Sequence, residues 1–323
     1  MKYLIDTNIW SYIADTDSLS DMLRAVRRKQ FQFVIAPASI FEARRLTEPR
    51  IRKKLLQVMT NQRWTRLMPD TFLEAEEIKD ALLLARPEWK NLTPNDRDFI
   101  RGRYYFRRSQ GGFWDDSRDE RPLPVTDESL REQIENELAK QEVKFIRDRF
   151  KNGDQCDAAI HLQKVTLDVE APRAGMHTVD YWREATAFHL EKELQIYASP
   201  YREWLDCFLD VDAIFYDRED FEIVWFREIR VDQLKRQWLR ASMEYLQRWH
   251  KPTTGSPADS QLSVHLLDAD YLVTADKNFA RCVEKMHSEA PFETAQPLKV
   301  SAGRNGVIEM IEFAESQTNG RSA

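Results

Sequence analysis

Cysteine is scarce in this sequence: three residues among 323, far apart at Cys156, Cys207 and Cys282. Their odd number and wide spacing match neither a disulfide framework nor the ligand pattern of a zinc site. A protein of a reducing compartment is therefore expected.

Long apolar runs are missing as well. No stretch approaches the roughly 20 apolar residues that are needed to span a bilayer. Residues 1–10 also lack the charged segment and apolar core of a secretory signal. We therefore expect a cytoplasmic protein with no membrane partner.

The motifs of several large enzyme classes are also missing. Gly111-Gly112 stands in a polar stretch without the lysine of a phosphate-binding loop. No serine or cysteine is accompanied by the base of a nucleophile pair. These absences argue against the Gly-rich nucleotide enzymes and against covalent hydrolases.

Net charge is −6, which argues against nucleic-acid binding over the whole surface. The charge is uneven, however, because Glu48 is the single acid between positions 43 and 66. The basic residues of this stretch are Arg44, Arg45, Arg50, Arg52, Lys53, Lys54, Arg63 and Arg66. The surplus predicts either a phosphate-binding face or a solvated helix face.

What the sequence does contain is a set of four carboxylates at matching positions. Asp6 and Asp276 each end a short apolar run, Glu42 follows another at the start of a helix, and Asp259 opens a late helical stretch. Such positions converge on one edge of a parallel sheet. Carboxylates 4 Å apart repel one another by roughly 4 kcal/mol at an effective dielectric near 20, which protons or a hard divalent cation relieve. The pattern predicts a metal-dependent phosphoryl-transfer enzyme.

Short apolar runs alternate with helical periodicity at both ends of the chain. We predict strands over 2–6, 32–36, 271–275 and near 298–301, and helices over 8–15, 17–29, 39–48, 257–268 and from Asn278. This alternation indicates an α/β fold with a parallel sheet flanked by helices. Ser39 and Glu42 have the spacing of a capping box. The polar tail after Phe313 is expected to fray.

The middle of the chain has a different character. Eight of the nine tryptophans lie between Trp64 and Trp249, so this region has large apolar groups to bury. Amphipathic helices are predicted over 127–150 and 232–249, and an exposed loop over 109–126. We predict a discontinuous domain that is interrupted by an insertion and followed by a short tail. The helix near 232–249 packs either with the discontinuous domain or with the insertion. The ranges are 1–50 and 251–316 for the domain, 51–250 for the mostly helical insertion, and 317–323 for the tail.

Four segments together resemble the PIN-domain nucleases. They cover roughly the first 50 and the last 65 residues. They are Tyr3-Leu-Ile-Asp6-Thr-Asn8, Ser39-Ile-Phe-Glu42, Asp259 followed by Leu262 and Leu266, and Leu272-Val-Thr274-Ala-Asp276-Lys-Asn-Phe279. The acids stand in the family's order, each on the expected kind of element.

The resemblance implies a metal-dependent endoribonuclease. Asp6, Glu42, Asp259 and Asp276 would be the catalytic residues and would hold Mg²⁺ or Mn²⁺, with Thr7, Asn8 and Thr274 orienting them. The basic residues expected to contact RNA are Arg44, Arg45, Arg52, Lys53 and Lys54. Compact family members are often toxins silenced by an antitoxin, and the insertion also suggests an antiviral-defence nuclease. A regulatory protein and a second copy of the chain are the other partners to consider.

Several alternatives stay open. Each acid has a local explanation: Asp6 and Asp276 as helix or turn caps, Glu42 as part of its capping box, and Asp259 as a helix-start residue. Asp157 and His161 lie one helical turn apart and form a second, weaker candidate for the third acid or for a metal pair. The arginines and aromatics of 101–108 suit either RNA stacking or a helix with a buried face. At the level of function, the alternatives are a PIN-fold RNA- or protein-binding module with little catalysis, and a DNA-directed nuclease.

Overall fold

The computed structural model describes residues 1–28, 31–121, 161–196, 199–248 and 256–319. Five parallel strands form the main sheet, in the spatial order β3-β2-β1-β6-β7. A separate antiparallel hairpin is formed by β4 and β5. The strands are β1 (Lys2–Ile5), β2 (Gln32–Ile35), β3 (Thr65–Arg66), β4 (Thr166–Arg173), β5 (Met176–Asp180), β6 (Tyr271–Thr274) and β7 (Gln296–Lys299).

Helices cover both faces of the main sheet. Shorter 3-10 segments lie at Pro87–Trp89, Leu162–Lys164, Val231–Gln233 and Val264–Leu267, and a π-helix lies at Val224–Glu228. The α-helices of the described residues are α1 (Thr7–Asp15), α2 (Leu19–Arg28), α3 (Pro37–Arg44), α4 (Pro49–Met59), α5 (Asp70–Ala85), α6 (Asp96–Arg107), α7 (Phe113–Arg118), α8 (Tyr181–Leu194), α9 (Pro200–Leu205), α10 (Val211–Tyr216), α11 (Arg218–Ile223), α12 (Lys235–Gln247), α13 (Ser256–Ser263), α14 (Lys277–Glu289) and α15 (Arg304–Asn319).

Alternate residues of β1 face opposite sides of the sheet, as the period of two in a strand requires. Tyr3 and Ile5 join one buried apolar cluster, which includes residues of α1, α2, α4 and α15. Leu4 joins another, which includes residues of α5, α8, α12 and α14. The three central strands β1, β2 and β6 are therefore buried on both faces, which explains their continuous apolar runs.

The predicted α/β class and its parallel sheet are confirmed. The four predicted strands are present, although the last begins two residues earlier than expected, and the predicted helices at both chain ends are present with small shifts at their ends. The helix predicted over 257–268 changes to 3-10 geometry at Val264. The sheet also takes β3 from the region 51–250, where it pairs with β2.

Three local predictions are wrong. Ser39 does not cap α3, because Pro37 starts the helix earlier and Ala36 occupies the N-cap position. Part of the expected loop 109–126 is the helix α7, which forms because Phe113 and Trp114 are fully buried. The tail after Phe313 continues as helix to Asn319, since Met310 and Ala314 on its inner side are buried.

The region 51–250 is largely helical where the structure describes it, with the β4–β5 hairpin as its exception. The helix predicted over 232–249 is α12, which packs against α13 and α14 beside the main sheet and also against α8 and α5 of the region 51–250. The predicted helix 127–150 and the residue Asp157 lie outside the described residues. No helix of the described residues has the length and apolar character needed to cross a bilayer.

Candidate active site at the edge of the sheet

Asp6 and Thr274 meet where two neighbouring strands end. The chain winds outward from β1 in both directions, to β2 and β3 on one side and to β6 and β7 on the other. The order therefore reverses between β1 and β6, and ligands of such sheets bind in the crevice at the carboxyl ends of those two strands. Asp6 follows β1 directly and Thr274 is the last residue of β6.

A compact hydrogen-bond network fixes the Asp6 carboxylate. Its Oδ2 accepts hydrogen bonds from the Thr274 hydroxyl and from the Asn8 amide, both at 2.5 Å. Asn8 also donates to Thr274 Oγ1 at 3.2 Å and accepts from the backbone N–H of Ala275 at 3.2 Å. Asp6 stands at the N-cap position of α1, yet its side chain makes no capping hydrogen bond. Helix capping therefore does not account for this residue.

Asp276 has a structural task of its own. Its Oδ1 caps α14 by accepting from the backbone N–H groups of Asn278 at 2.7 Å and Phe279 at 3.0 Å. Its own backbone N–H donates to Thr274 Oγ1 at 2.9 Å. The local explanation of Asp276 as a cap is thus correct. The cap also holds the carboxylate beside the Asp6 network.

Glu42 and Asp259 approach the same edge on helices. Glu42 is on α3, close to the C-terminal end of β2, and Asp259 is in the first turn of α13. These two helices pack against each other. The Thr7 side chain lowers the pKa of the Glu42 carboxyl, which burial raises. Thr7 and Asn8, adjacent on α1, therefore act on two different acids.

The electrostatics of the four acids are coupled. Burial raises the pKa of Asp6 to about 7, against the hydrogen bond from Thr274, and the nearby charges of Glu42 and Asp276 raise it further. Burial also raises the pKa of Asp259 well above its usual range, and Asp6, Glu42 and Asp276 add to the increase. The pKa of Glu42 is raised by burial and lowered by Thr7 and by Arg45. Like charges near one another raise carboxyl pKa values in this way, so the four acids act on a shared stretch of the sheet edge.

The four acids do not form a closed ligand cage as they stand. Within the described ranges, no three side chains of His, Cys, Asp or Glu lie close enough together to hold an ion. The donor set is all carboxylate oxygen, which suits a hard cation. Mg²⁺ keeps several water ligands and needs only one or two direct carboxylates, so it does not require a closed cage of acids.

Most of the predicted basic contacts are engaged within the protein. Arg44 donates to Ser117 Oγ at 3.5 Å and to the carbonyl of Arg121 at 2.7 Å, and burial lowers its pKa. Arg52 pairs with Glu120 at 3.2 Å. Lys54 pairs with Asp17 at 2.9 Å. Arg45 and Lys53 are exposed, and the charge of Arg45 lowers the pKa of Glu42.

A second polar cluster went unnoticed in the sequence. The Arg240 guanidinium on α12 contacts both carboxylate oxygens of Glu74 at 2.7 Å and also Asp70, while Tyr201 donates to Glu74. Glu74 is fully buried. The acids lie four residues apart on α5, a spacing that places them on one helix face. This spacing was the one sign of the cluster in the sequence. It could not identify the partners Tyr201 and Arg240, which come from distant segments of the chain. All members are paired, so the cluster serves to join α5, α9 and α12.

Comparison of the chain with protein-family models, with curated proteins and with solved structures gives no match to any of them.

Proposed function

We propose that this protein is a metal-dependent nuclease of the PIN-domain type that hydrolyses the phosphodiester bonds of RNA. One observation carries the proposal: the Thr274 hydroxyl joins Asp6 and Asp276 where the strand order of the sheet reverses, and the packed helices α3 and α13 bring Glu42 and Asp259 to the same edge. A purely structural role gives no reason to gather four like charges there, three of them on buried or half-buried side chains.

The donor set supports Mg²⁺ or Mn²⁺ as the cofactor, since carboxylate and water oxygens are the ligands that these ions prefer. Asp6, Glu42, Asp259 and Asp276 are the residues that would hold the ion, partly through water. A bound divalent ion would polarise the scissile phosphate, lower the pKa of a bound water and stabilise the leaving oxygen.

The neighbouring polar residues have positioning roles. Thr274 and Asn8 together direct two hydrogen bonds to one oxygen of Asp6, which fixes the rotation of that carboxylate. Thr7 lowers the pKa of Glu42 and so favours its ionised form. Such supporting hydrogen bonds hold acidic side chains in the geometry that cation binding needs. The exposed Arg45 beside Glu42 supplies a positive charge for a substrate phosphate.

The test is cleavage of labelled single-stranded RNA and DNA by purified protein in Mg²⁺, Mn²⁺ or EDTA. We expect RNA cleavage that requires metal and is lost in Asp6→Asn/Asp276→Asn. The matched control is Asp80→Asn/Asp168→Asn, which changes two acids with side chains 75% and 84% exposed. Cleavage by the site variant at the wild-type rate would exclude these acids as catalytic residues.

The open arrangement of the acids also favours a second candidate, an RNA-binding module of the same fold with little catalysis. Wild-type protein that binds RNA but cleaves neither nucleic acid in either metal would support this module. Preferential cleavage of DNA would instead establish a DNA-directed nuclease. The proposed setting of the enzyme is the cytoplasm.

A further inference from the structure

Helix α6 is fixed to the protein along one side only. Phe99 packs among Phe72, Trp204 and Phe208, with ring centroids 4.7–5.8 Å apart. Trp204 lies so close to Gly102 that a Cβ there would be 2.7 Å from the indole ring. These contacts, spaced three residues apart, define the inner side of the helix.

The outer side of α6 presents arginines around an aromatic ring. Arg97, Arg101, Tyr104 and Arg108 follow one another at intervals of four, three and four residues, so they line one face that continues just past the helix end. Tyr104 is 60% exposed, and the Arg108 guanidinium lies 4.9 Å from the centre of its ring. A second row beside this one is formed by Ile100, Arg103 and Arg107, all exposed.

The charge of this face is unbalanced. Residues 96–108 contain five arginines and two acids, Asp96 and Asp98, both in the first turn. Arg101 pairs with Asp98 at 3.1 Å. Among the described residues, no carboxylate forms an ion pair with the three arginines Arg97, Arg103 and Arg107. A solvated helix face usually carries intermixed charges of both signs, whereas this one is positive from residue 99 onward.

The C-terminal end of α6 leads to the candidate active site. Tyr105 on this helix donates its hydroxyl to Asp116 of α7 at 3.1 Å. Ser117, the next residue of α7, accepts a hydrogen bond from Arg44. Arg44 is two residues after Glu42 on α3. A strand of nucleic acid lying on α6 would therefore approach the acids from one side.

We propose that the outer face of α6 binds single-stranded RNA and delivers it to the acids at the sheet edge. Tyr104 stacks on an unpaired base, and the arginines pair with phosphates on either side of it. Charge complementarity selects a polyanion, and the exposed ring selects one with accessible bases. The identity of the ligand as substrate rests on the proposed nuclease function, but binding to the face does not require metal.

The test is fluorescence anisotropy with a labelled oligouridylate of about 16 nucleotides, the upper end of common single-strand site sizes. EDTA in the buffer prevents cleavage, so binding is measured alone. The variants are Arg97→Ala/Arg103→Ala/Arg107→Ala, Tyr104→Ala and Tyr104→Phe. Circular dichroism verifies folding, which alanine in a helix favours. The matched control removes three exposed cations away from the candidate site, in Lys2→Ala/Arg27→Ala/Lys164→Ala.

We expect the triple α6 variant to bind about tenfold or more weakly, with a salt dependence reduced by about 2 in the log–log slope, since each phosphate contact contributes about 0.7. Tyr104→Ala should lose about fivefold or more, whereas Tyr104→Phe keeps the stacking face and the affinity. Competition by an unlabelled DNA oligomer of matching sequence measures whether the ribose 2′-hydroxyl contributes to the affinity.

Equal losses in the α6 and control variants would overturn the proposal, because binding would then reflect total charge alone. Wild-type protein that fails to bind the RNA would also overturn it and assign the face to another class of partner. If α6-dependent binding is observed but no cleavage occurs in Mg²⁺ or Mn²⁺, the proposed nuclease function fails while this assignment stands.

Discussion

The hydroxyl of Thr274 lies 2.5 Å from Oδ2 of Asp6, although the two residues are 268 positions apart in the chain. Thr274 Oγ1 also accepts the backbone N–H of Asp276 and the amide of Asn8. One buried hydroxyl therefore connects two of the candidate acids and their supporting amide. Its removal tests whether the site depends on positioning as well as on charge.

Thr274→Val keeps the shape of the side chain and removes its hydrogen bonds. We expect a 10- to 100-fold loss of cleavage activity or of metal affinity, the usual effect of deleting such a supporting contact. The measurement is the initial cleavage rate over a Mg²⁺ titration. Thr274→Ser retains the hydroxyl and should stay near wild type. Equal activity of the valine and serine variants would show that Asp6 needs no support from this position.

Asp259→Asn should stabilise the metal-free protein while it abolishes cleavage. Burial and the charges of Asp6, Glu42 and Asp276 raise the pKa of Asp259, so its ionised form is unfavourable in the folded state. We expect the unfolding free energy in EDTA at pH 8 to increase by about 1 kcal/mol or more, from relief of like-charge repulsion. Saturating Mg²⁺ should stabilise the wild type more than the variant, because a ligand stabilises the state that it binds.

Thermal melts in EDTA and in Mg²⁺ measure both effects, and Asp80→Asn provides the exposed control. A variant that is less stable than wild type in EDTA would show that Asp259 is held by favourable contacts and not strained by its neighbours.

Trp64→Ala should destabilise the whole α/β unit. Trp64 lies 5.5 Å from Trp10 and 5.7 Å from Phe33 between ring centroids, and its Nε1 donates to the carbonyl of Val58 at 2.8 Å. Loss of a buried tryptophan costs about 3–5 kcal/mol of unfolding free energy. Urea unfolding is the measurement. Leu92→Ala, at a side chain that is 95% exposed, should change stability by less than about 0.5 kcal/mol.

An unfolding curve for Trp64→Ala that matches that of Leu92→Ala would contradict the packing of the β3 segment against α1 and β2.

Arg240→Met should cost about 3–5 kcal/mol, because it leaves the buried carboxylate of Glu74 without its partner. The double variant Arg240→Met/Glu74→Gln removes the unpaired charge as well. It should therefore be more stable than the single variant. Denaturant unfolding of both, with Glu74→Gln alone, completes a double-mutant cycle. Strict additivity of the two changes would exclude energetic coupling between these residues.

Glu77 makes the stability of the protein depend on pH. Burial raises the pKa of Glu77 from 4.5 to about 7, despite the hydrogen bond from the backbone N–H of Arg236. A raised folded-state pKa means that ionisation opposes folding. This cost is absent below about pH 4.5, grows as pH rises through 7, and reaches about 3 kcal/mol.

Glu77→Gln cannot ionise, so its unfolding free energy relative to wild type should be about 3 kcal/mol more favourable at pH 8 than at pH 4. Urea titrations at both pH values give this difference. Glu76→Gln, the same chemical change one position earlier, is the comparison. A difference for Glu77→Gln that is independent of pH would show that Glu77 has the same pKa in the folded and unfolded states.

The sequence predicted the central sheet well because apolar runs such as 33–36 are buried on both faces and leave little ambiguity. The positions of Asp6 and Asp276 followed from the same runs, since each acid comes directly after one. Prediction failed where tertiary contacts decide the local structure. Trp114 is buried in a short helix and donates to the carbonyl of Phe106 at 2.6 Å, a contact that no local pattern reveals.

The residues around Glu42 show the same limit. Pro37 fixes the start of α3, so Ser39 lies inside the helix, and its hydroxyl has no hydrogen-bond partner among the described residues. Arg44 and Arg52 were predicted to contact substrate from their charge alone. Their contacts with Ser117 and Glu120 involve residues more than 65 positions away, and charge patterning carries no information on such distant partners.

The position of β1 between β2 and β6 has a consequence for synthesis on the ribosome. While the chain is being made, β1 can pair with β2 as soon as both have emerged, but β6 follows 268 residues after β1 in the pairing register. At 5–20 residues per second, this interval lasts roughly 13–54 seconds. Throughout it, Asp6 lacks both Thr274 and Asp276. Under the proposed function, the nascent chain is therefore inactive, and the nuclease cannot attack the messenger that encodes it before residue 276 has been translated.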